Sequence, residues 1–291
     1  GRAIGLRSLT SGAATSPALE EVERRGIGRF TTHRRLRRAD GSEVEFSAWR
    51  RRKGYGLRDP DAPSRAVRWW VPDRRGWWIA VLFMVGSTCF ALGSFPPTAS
   101  ALGASAAYVF FVGSLFFTSA AYLQFYEASN EGDALDGSGR TRRLFGIRAA
   151  SLGWWAAAIQ LIGTIAFNIS TFMPLRELST LQEEVLVWAP DMVGSACFLV
   201  ASTLVIMETH DRIRGAYLSS LESRIAVVNM MGSIAFGFAA LAAFVVPSTG
   251  ELANTAVVNA GTFVGALLFF AGALMLIPDM ATDAGPDRQR T

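Results

Sequence analysis

The sequence predicts an all-α membrane protein with six transmembrane helices, arranged as three repeated antiparallel hairpins behind a small basic amino-terminal region. Three observations predict this fold: six long apolar runs, basic residues concentrated on alternate sides of those runs, and one glycine–phenylalanine motif present in every run. Of the 291 residues, 51% are hydrophobic and 18% are charged. The chain therefore consists of apolar blocks separated by charged connections.

The apolar runs are 19 to 22 residues long and almost free of charge. About 20 apolar residues are needed for a helix to cross the hydrocarbon core of a bilayer. The runs occupy residues 77–95, 106–126, 154–173, 187–207, 225–246 and 257–277. The predicted organisation is a cytoplasmic region followed by three hairpins and a tail, at 1–76, 77–126, 154–207, 225–277 and 278–291.

The basic residues predict the orientation, because short connections rich in Lys and Arg stay in the cytoplasm. Residues 1–76 carry 18 of the 28 basic residues. The connections 127–153 and 208–224 carry four and three, the tail carries two, and the other three connections hold only Arg176. Both termini are therefore predicted to be cytoplasmic.

The recurring motif is a Gly, a small residue directly after it, a Phe four positions after the Gly, and another small residue four further on. With a rise of about 1.5 Å per residue, each Phe of an antiparallel hairpin lies level with its partner's Gly and can fill the notch there. Small residues let membrane helices approach closely, which predicts a helix-packing motif. Its residues are Gly86, Phe90, Gly113, Phe117, Gly163, Phe167, Gly194, Phe198, Gly232, Phe236, Gly265 and Phe269.

The even-numbered runs also share an acidic residue at the cytoplasmic end, fourteen positions after the motif glycine. These residues are Glu127, Glu208 and Asp279. They mark the inner interface.

The amino-terminal region has local signals of its own. Residues 29–38 and 43–50 flank a turn sequence, which predicts a β-hairpin, and residues 18–25 predict a short helix. Its basic residues have three interpretations: charges that set topology, a surface for anionic lipid headgroups, or, in third place, nucleic-acid binding. No base-reading motif is present, so no nucleic acid is expected. The predicted lipid surface is Arg34, Arg35, Arg37, Arg38, Arg50, Arg51, Arg52 and Lys53.

Few polar side chains fall inside the apolar runs. Gln160, Asn168 and Asn229 have two interpretations: hydrogen bonding between helices, or the lining of a pseudo-threefold central cavity. Cys89 and Cys197 lie within apolar runs, and the chain has only two histidines. The sequence therefore predicts no metal site and no cofactor.

The paired segments Met-Val-Gly-Ser-x-x-Phe and Phe-Val-Gly-Ser-x-x-Phe, at 84–90 and 111–117, follow a basic β-like stretch. This combination resembles the YrhK-like family of bacterial membrane proteins, whose members are two-helix units. The resemblance is best over 83–90 and 110–117, weaker through 160–198 and least specific over 229–269. It implies two-helix units in a bacterial cytoplasmic (inner) membrane, and three such units fused in one chain would depart from the family's usual single unit. The resemblance implies no particular activity.

The function that the sequence favours is a non-catalytic integral membrane protein, an accessory or structural subunit or lipid-interacting partner of a larger bacterial membrane complex. Its expected partners are membrane lipids and other membrane-protein subunits. The alternative is a transporter or channel for a neutral or amphipathic small solute. A lipid-modifying enzyme is the third class, but nothing closer to a catalytic pair than His210-Asp211 is present, and no catalytic residue is predicted.

Overall fold

The computed structural model describes residues 19–60, 68–131, 143–210, 220–246, 249 and 251–279. The amino-terminal elements are β1 (Glu20–Ile27), β2 (Phe30–Arg37), β3 (Glu43–Ser47) and α1 (Ala48–Arg52). The next helices are α2 (Arg75–Ser94), α3 (Pro96–Leu102), α4 (Ala106–Ser129), α5 (Leu152–Phe172) and α6 (Thr180–Glu183). The remaining elements are α7 (Ala189–His210), α8 (Leu221–Ala242), β4 (Val245–Val246), β5 (Glu251–Leu252) and α9 (Thr255–Asp279).

Six helices in the described part of the chain are long and apolar enough to cross a membrane: α2, α4, α5, α7, α8 and α9. The prediction of six such helices is confirmed, with ends within a few residues of the predicted ones. The fourth differs most, because one π-helical stretch, Glu184–Trp188, joins α6 to α7 and starts the helical segment earlier. Large apolar side chains such as Ile162 and Phe238, 56% and 61% exposed, cover the outside of the bundle.

The six long helices form a closed ring in chain order. Each packs against the next along the chain, and α9 packs against α2 to close the ring. Each long helix therefore has two neighbours to pack against.

Glycine and phenylalanine of the motif face each other across each pair of helices. A Cβ placed on Gly86 would lie 2.9 Å from the carbonyl oxygen of Gly113 and 2.9 Å from the ring of Phe117. A Cβ on Gly113 would in turn lie 3.0 Å from the ring of Phe90. The same exchange pairs Gly163 with Phe198, Gly194 with Phe167, Gly232 with Phe269 and Gly265 with Phe236.

The motif phenylalanines also meet on the axis of the ring, where each is at most 7% exposed. Phe117, Phe198 and Phe269, from α4, α7 and α9, form a layer with ring centroids 5.5 to 6.4 Å apart. Phe236 of α8 lies 5.9 Å from Phe90 and 6.1 Å from Phe167. These edge-to-face and stacked contacts fill the centre of the bundle with aromatic rings.

The amino-terminal strands form one antiparallel sheet in the order β1-β2-β3. The predicted hairpin is confirmed, with Arg37 opposite Glu43 and His33 opposite Ser47. Its second arm is shorter than predicted, because the Ser47 hydroxyl accepts from the Arg50 backbone N–H and starts α1.

The helix predicted over residues 18–25 is wrong, since residues 20–27 form β1. A tight turn at Gly28, where φ is +56°, returns the chain so that Ile27 pairs with Phe30. Ion pairs of 3.5 Å from Arg34 to Glu21 and of 3.4 Å from Arg35 to Glu23 join the two strands. These cross-strand partners outweigh the weak local helical preference.

Two loops that lead into long helices share one local structure. The indole N–H of Trp77 donates to the carbonyl of Trp69, and that of Trp154 donates to the carbonyl of Gly146, eight residues back in both cases. The second Trp of each pair donates to the carbonyl six residues back, at Pro72 and Ala149 respectively. Trp70 and Ile147 consequently occupy equivalent positions, 72% and 82% exposed.

We expect Gly163→Ala to lower the thermal unfolding midpoint of the purified protein. The new methyl group would lie 2.8 Å from Cys197 Cβ, and relieving such overlap costs about 1–3 kcal/mol. Gly237→Ala is the matched control, because its Cβ would meet only Leu199 Cδ1 at 3.4 Å. Equal midpoints for the two variants would contradict the packing role of the motif.

Candidate functional site

Residues 48–55, hereafter the plug, lie across one end of the helix ring. Helix α1 contacts α4, α5 and α7, and the hydroxyl of Tyr55 donates to the carbonyl of Leu276 on α9 at 2.7 Å. Trp49 and Tyr55 are each 1% exposed and pack edge to face. The plug therefore touches helices of all three hairpins.

Three consecutive arginines of the plug pair with three glutamates from different helices. Arg50 lies 3.6 Å from Glu222 of α8. The other two pairs are Arg51 with Glu127 of α4, at 3.6 Å, and Arg52 with Glu208 of α7, at 2.9 Å. Successive side chains of an α-helix point about 100° apart, so three neighbours reach three directions around the ring.

The partners of these arginines are themselves buried. The side chains of Glu127, Glu208 and Glu222 are 3%, 2% and 7% exposed. Arg75, at the start of α2, makes a second ion pair to Glu127. A buried carboxylate that loses its cation is strongly destabilising, so these pairs specify one position for the plug.

The half of the predicted lipid surface that lies in the plug is largely buried. Arg50, Arg52 and Lys53 are 2%, 1% and 6% exposed, so they do not belong to a surface that faces lipid, and that prediction is wrong for them. Arg51 is half-buried and paired with Glu127. Glu127 and Glu208 are two of the acids that recur at the ends of the even-numbered runs, and this recurrence is the sequence feature that could have predicted buried partners for the cations. The side chain of the third recurring acid, Asp279, lies outside the described residues.

The other half of that surface lies on the sheet. Arg34, Arg35 and Arg37 have side chains 31% to 45% exposed, and Arg38 is half-buried beside them in the turn. Arg37 pairs with Glu43 at 3.2 Å, in addition to the pairs that Arg34 and Arg35 make with β1. Lipid binding by these four residues stays a prediction.

A small cavity separates the plug from the aromatic layer. Its volume is about 20 Å³, and its lining includes Lys53, Gln160, Ser202 and Asn229, with Phe198 and Phe269 on the aromatic side. Room of this size holds about one water molecule. Gln160 and Asn229 therefore share one cavity, with the rings of Phe198 and Phe269 in its wall.

Asn168, the third predicted cavity residue, lies elsewhere. Its Oδ1 accepts a hydrogen bond of 3.1 Å from the hydroxyl of Thr118 on α4. Ser114 and Thr171 make a similar bond of 2.9 Å between the same two helices, and Ser202 and Ser233 join α7 to α8 at 2.8 Å. These groups join neighbouring helices, as the first of the two interpretations proposed.

Two ionisable groups near the plug titrate far from their ordinary range. The pKa of Lys53 is lowered to about 7, mainly by burial and also by Arg52, against the effect of Glu208, which raises it. Burial also raises the pKa of Glu131 to about 7, against the effect of the Ser151 hydroxyl, which donates to Glu131 Oε2 at 2.9 Å.

The described residues contain no group of three or more His, Cys, Asp or Glu side chains able to hold a metal ion. Cys89 and Cys197 are free thiols. The side chain of His210 and all of Asp211, the pair considered for a lipid-modifying enzyme, lie outside the described residues.

Comparison of the chain with protein-family models, with curated proteins and with solved structures gave no match. The resemblance to the YrhK-like family therefore stays a prediction.

We expect Arg52→Met to lower the free energy of unfolding by about 3–5 kcal/mol, because it leaves the Glu208 carboxylate buried without a cation. Adding Glu208→Gln should recover much of that loss, since the uncompensated charge is then gone. Thermal or denaturant unfolding of the four proteins of this double-mutant cycle measures the coupling. Arg37→Met, which breaks an exposed pair, should change stability by less than about 1 kcal/mol; additive effects at 52 and 208 would refute the pairing.

The pKa of Glu131 makes a separate prediction about pH. Between pH 4.5 and about 7 the folded protein holds a proton on Glu131 that the unfolded chain has lost, so stability falls as the pH rises through this window. Glu131→Gln removes the titration and keeps an acceptor for Ser151. We expect the variant to gain in unfolding midpoint over the parent at a pH of about 8 and not at about 4.5; an equal difference at both pH values would contradict the buried acid.

Proposed function

We propose that this chain is a non-catalytic integral membrane protein, an accessory or structural subunit that holds its basic sheet at the cytoplasmic surface for a partner. The observation that carries the proposal is the aromatic core at the centre of the bundle. Aromatic rings fill the centre, the plug covers one end, and the side chains of Ser114, Asn168 and Ser202 form hydrogen bonds to neighbouring helices. Such an arrangement supports mechanical rigidity rather than passage of a solute.

The membrane placement is part of the proposal. We place the six long helices across a bacterial inner membrane, with the plug, the sheet and both termini in the cytoplasm. Basic residues concentrated at the plug end support this orientation. The exposed Trp70 and Ile147, at equivalent positions of two loops at that end, suit the boundary between headgroups and hydrocarbon.

We further propose that the bundle consists of three copies of one hairpin. The exchange of Gly and Phe in each hairpin, the ring closed by α9 against α2, and the shared loop structure before α2 and α5 support it. The plug breaks the symmetry, because a single segment serves three hairpins. A fused chain can present one sheet to a partner, whereas three separate units would present three.

The partner we propose is another membrane-protein subunit, with anionic lipid as a second contact. One face of the sheet presents Arg35 and Arg37 beside Glu23 and Glu43, whereas the pair of Arg34 with Glu21 lies on the opposite face. A mixed-charge face of this kind contributes specificity and rate of association more than affinity. Strand β3 of the sheet continues directly into the plug, so a force on the sheet is transmitted to the helices.

A transporter or channel for a small neutral solute is the second candidate, and the cavity favours it. Gln160 and Asn229 reach that cavity from α5 and α8. Passage would require the aromatic layer and the plug to move apart, breaking at least one of the three buried ion pairs.

Purification of the tagged full-length protein from native membranes in mild detergent, with mass spectrometry of what accompanies it, tests the subunit proposal. We expect a stoichiometric partner whose recovery falls in the double variant Arg35→Gln, Arg37→Gln, because both cations of the mixed-charge face are removed. Arg176→Gln, an exposed arginine at the other end of the bundle, is the control and should retain the partner.

A lone protein would contradict the subunit proposal, and a liposome flux assay then tests the alternative. Flux above that of empty vesicles, lost in Gln160→Leu or Asn229→Leu and kept in Asn168→Leu, would establish the transporter. The absence of both a partner and flux would overturn both candidates.

A further inference from the structure

One buried cation of the plug, Lys53, makes no ion pair with a carboxylate of the described residues. Residues 50–53 supply four consecutive cations, and Glu127, Glu208 and Glu222 accept one ion pair each from the three arginines. No carboxylate of a described residue makes an ion pair with Lys53, although that side chain is only 6% exposed. In the described part of the chain, Lys53 thus has no carboxylate at ion-pair distance, although Glu208 acts on it electrostatically.

Lys53 lines the cavity beneath the aromatic layer, and the other polar groups there are suited to an anion. Gln160 and Asn229 bring amide groups and Ser202 brings a hydroxyl, whereas the lining contains no carboxylate. A Cβ on Gly272 would lie 2.3 Å from Oδ1 of Asn229 but 3.5 Å from Nδ2. The amide oxygen of Asn229 is therefore nearer to α9 than the amide nitrogen is.

The volume of the cavity limits what can enter. About 20 Å³ accommodates a particle about the size of one water molecule. A monatomic halide fits this limit, whereas a carboxylate, a phosphate or a lipid headgroup does not. A buried ammonium without a counter-ion is unfavourable, and such an ion would compensate it where it lies.

We infer that this cavity is a binding site for a monatomic anion of the chloride class, held by Lys53, Gln160, Ser202 and Asn229. The ion would tie the plug to α5, α7 and α8 beside the three arginine pairs, where the buried Lys53 side chain lines the cavity. This inference concerns stability of the closed bundle and does not depend on which partner or solute the protein serves.

The test is thermal unfolding of the purified full-length protein in detergent, with gluconate replaced by chloride at constant ionic strength. We expect the unfolding midpoint to rise with chloride along a saturating curve, and the rise to disappear in Lys53→Met. In Gln160→Leu and Asn229→Leu the chloride concentration for half of the rise should increase about tenfold, the effect of one lost hydrogen bond to a charged group. Asn168→Leu, which removes an amide outside the cavity, should keep the parent's response.

The response should also depend on pH through Lys53. The charged groups that act on it are Arg52 beside it on the plug and Glu208 of α7, and they oppose each other. Protonated Lys53 favours an anion, so the chloride-dependent rise should be larger at a pH of about 6 than at about 9.

Equal midpoints in chloride and gluconate at both pH values would overturn the inference, as would a full chloride response in Lys53→Met. Should Lys53→Met fail to fold, the two amide variants decide: unchanged chloride dependence in both of them rejects the site. Purely electrostatic screening is distinguished because it would affect the parent and Asn229→Leu alike.

Discussion

The contact between a phenylalanine ring and the glycine that faces it sets the distance between neighbouring helices in this bundle. Apolar helices in a membrane gain little from leaving lipid, so their association depends on close van der Waals packing. Each missing side chain admits a ring from the neighbouring helix, and the same rings then meet on the axis, at most 7% exposed. Close helix packing and a filled centre are therefore two results of one arrangement.

The plug adds a second constraint at one end. Three consecutive residues of a short helix point in three directions, and the ring offers a buried glutamate in each of them. Buried ion pairs contribute little net stability but penalise alternative positions heavily. The sheet, which continues directly into the plug, is thereby tied to all three hairpins even though its own contacts with the bundle are few.

These two constraints, the Gly–Phe packing and the ion pairs of the plug, favour a rigid bundle over a channel. Some polar side chains between the helices, such as Asn168 and Thr118, form hydrogen bonds with each other within the ring. The cavity lined by Lys53, Gln160 and Asn229 differs, because its lining brings polar groups together without a carboxylate. The cavity is the feature that favours a transporter over a scaffold, and its volume is no larger than one small ion.

Apolar length, helical spacing and turn residues are local properties, and for that reason the sequence by itself determined the six long helices, the Gly–Phe motif and the β2–β3 hairpin. Only the tertiary structure decided that residues 20–27 pair as a strand, that Asn168 leaves the cavity, and that Arg50, Arg52 and Lys53 are buried. A run of cations has the same sequence whether it is exposed to water or buried among carboxylates, so the sequence alone does not distinguish the two. Here the carboxylates lie some 75 to 170 residues away along the chain, where only the folded ring brings them together.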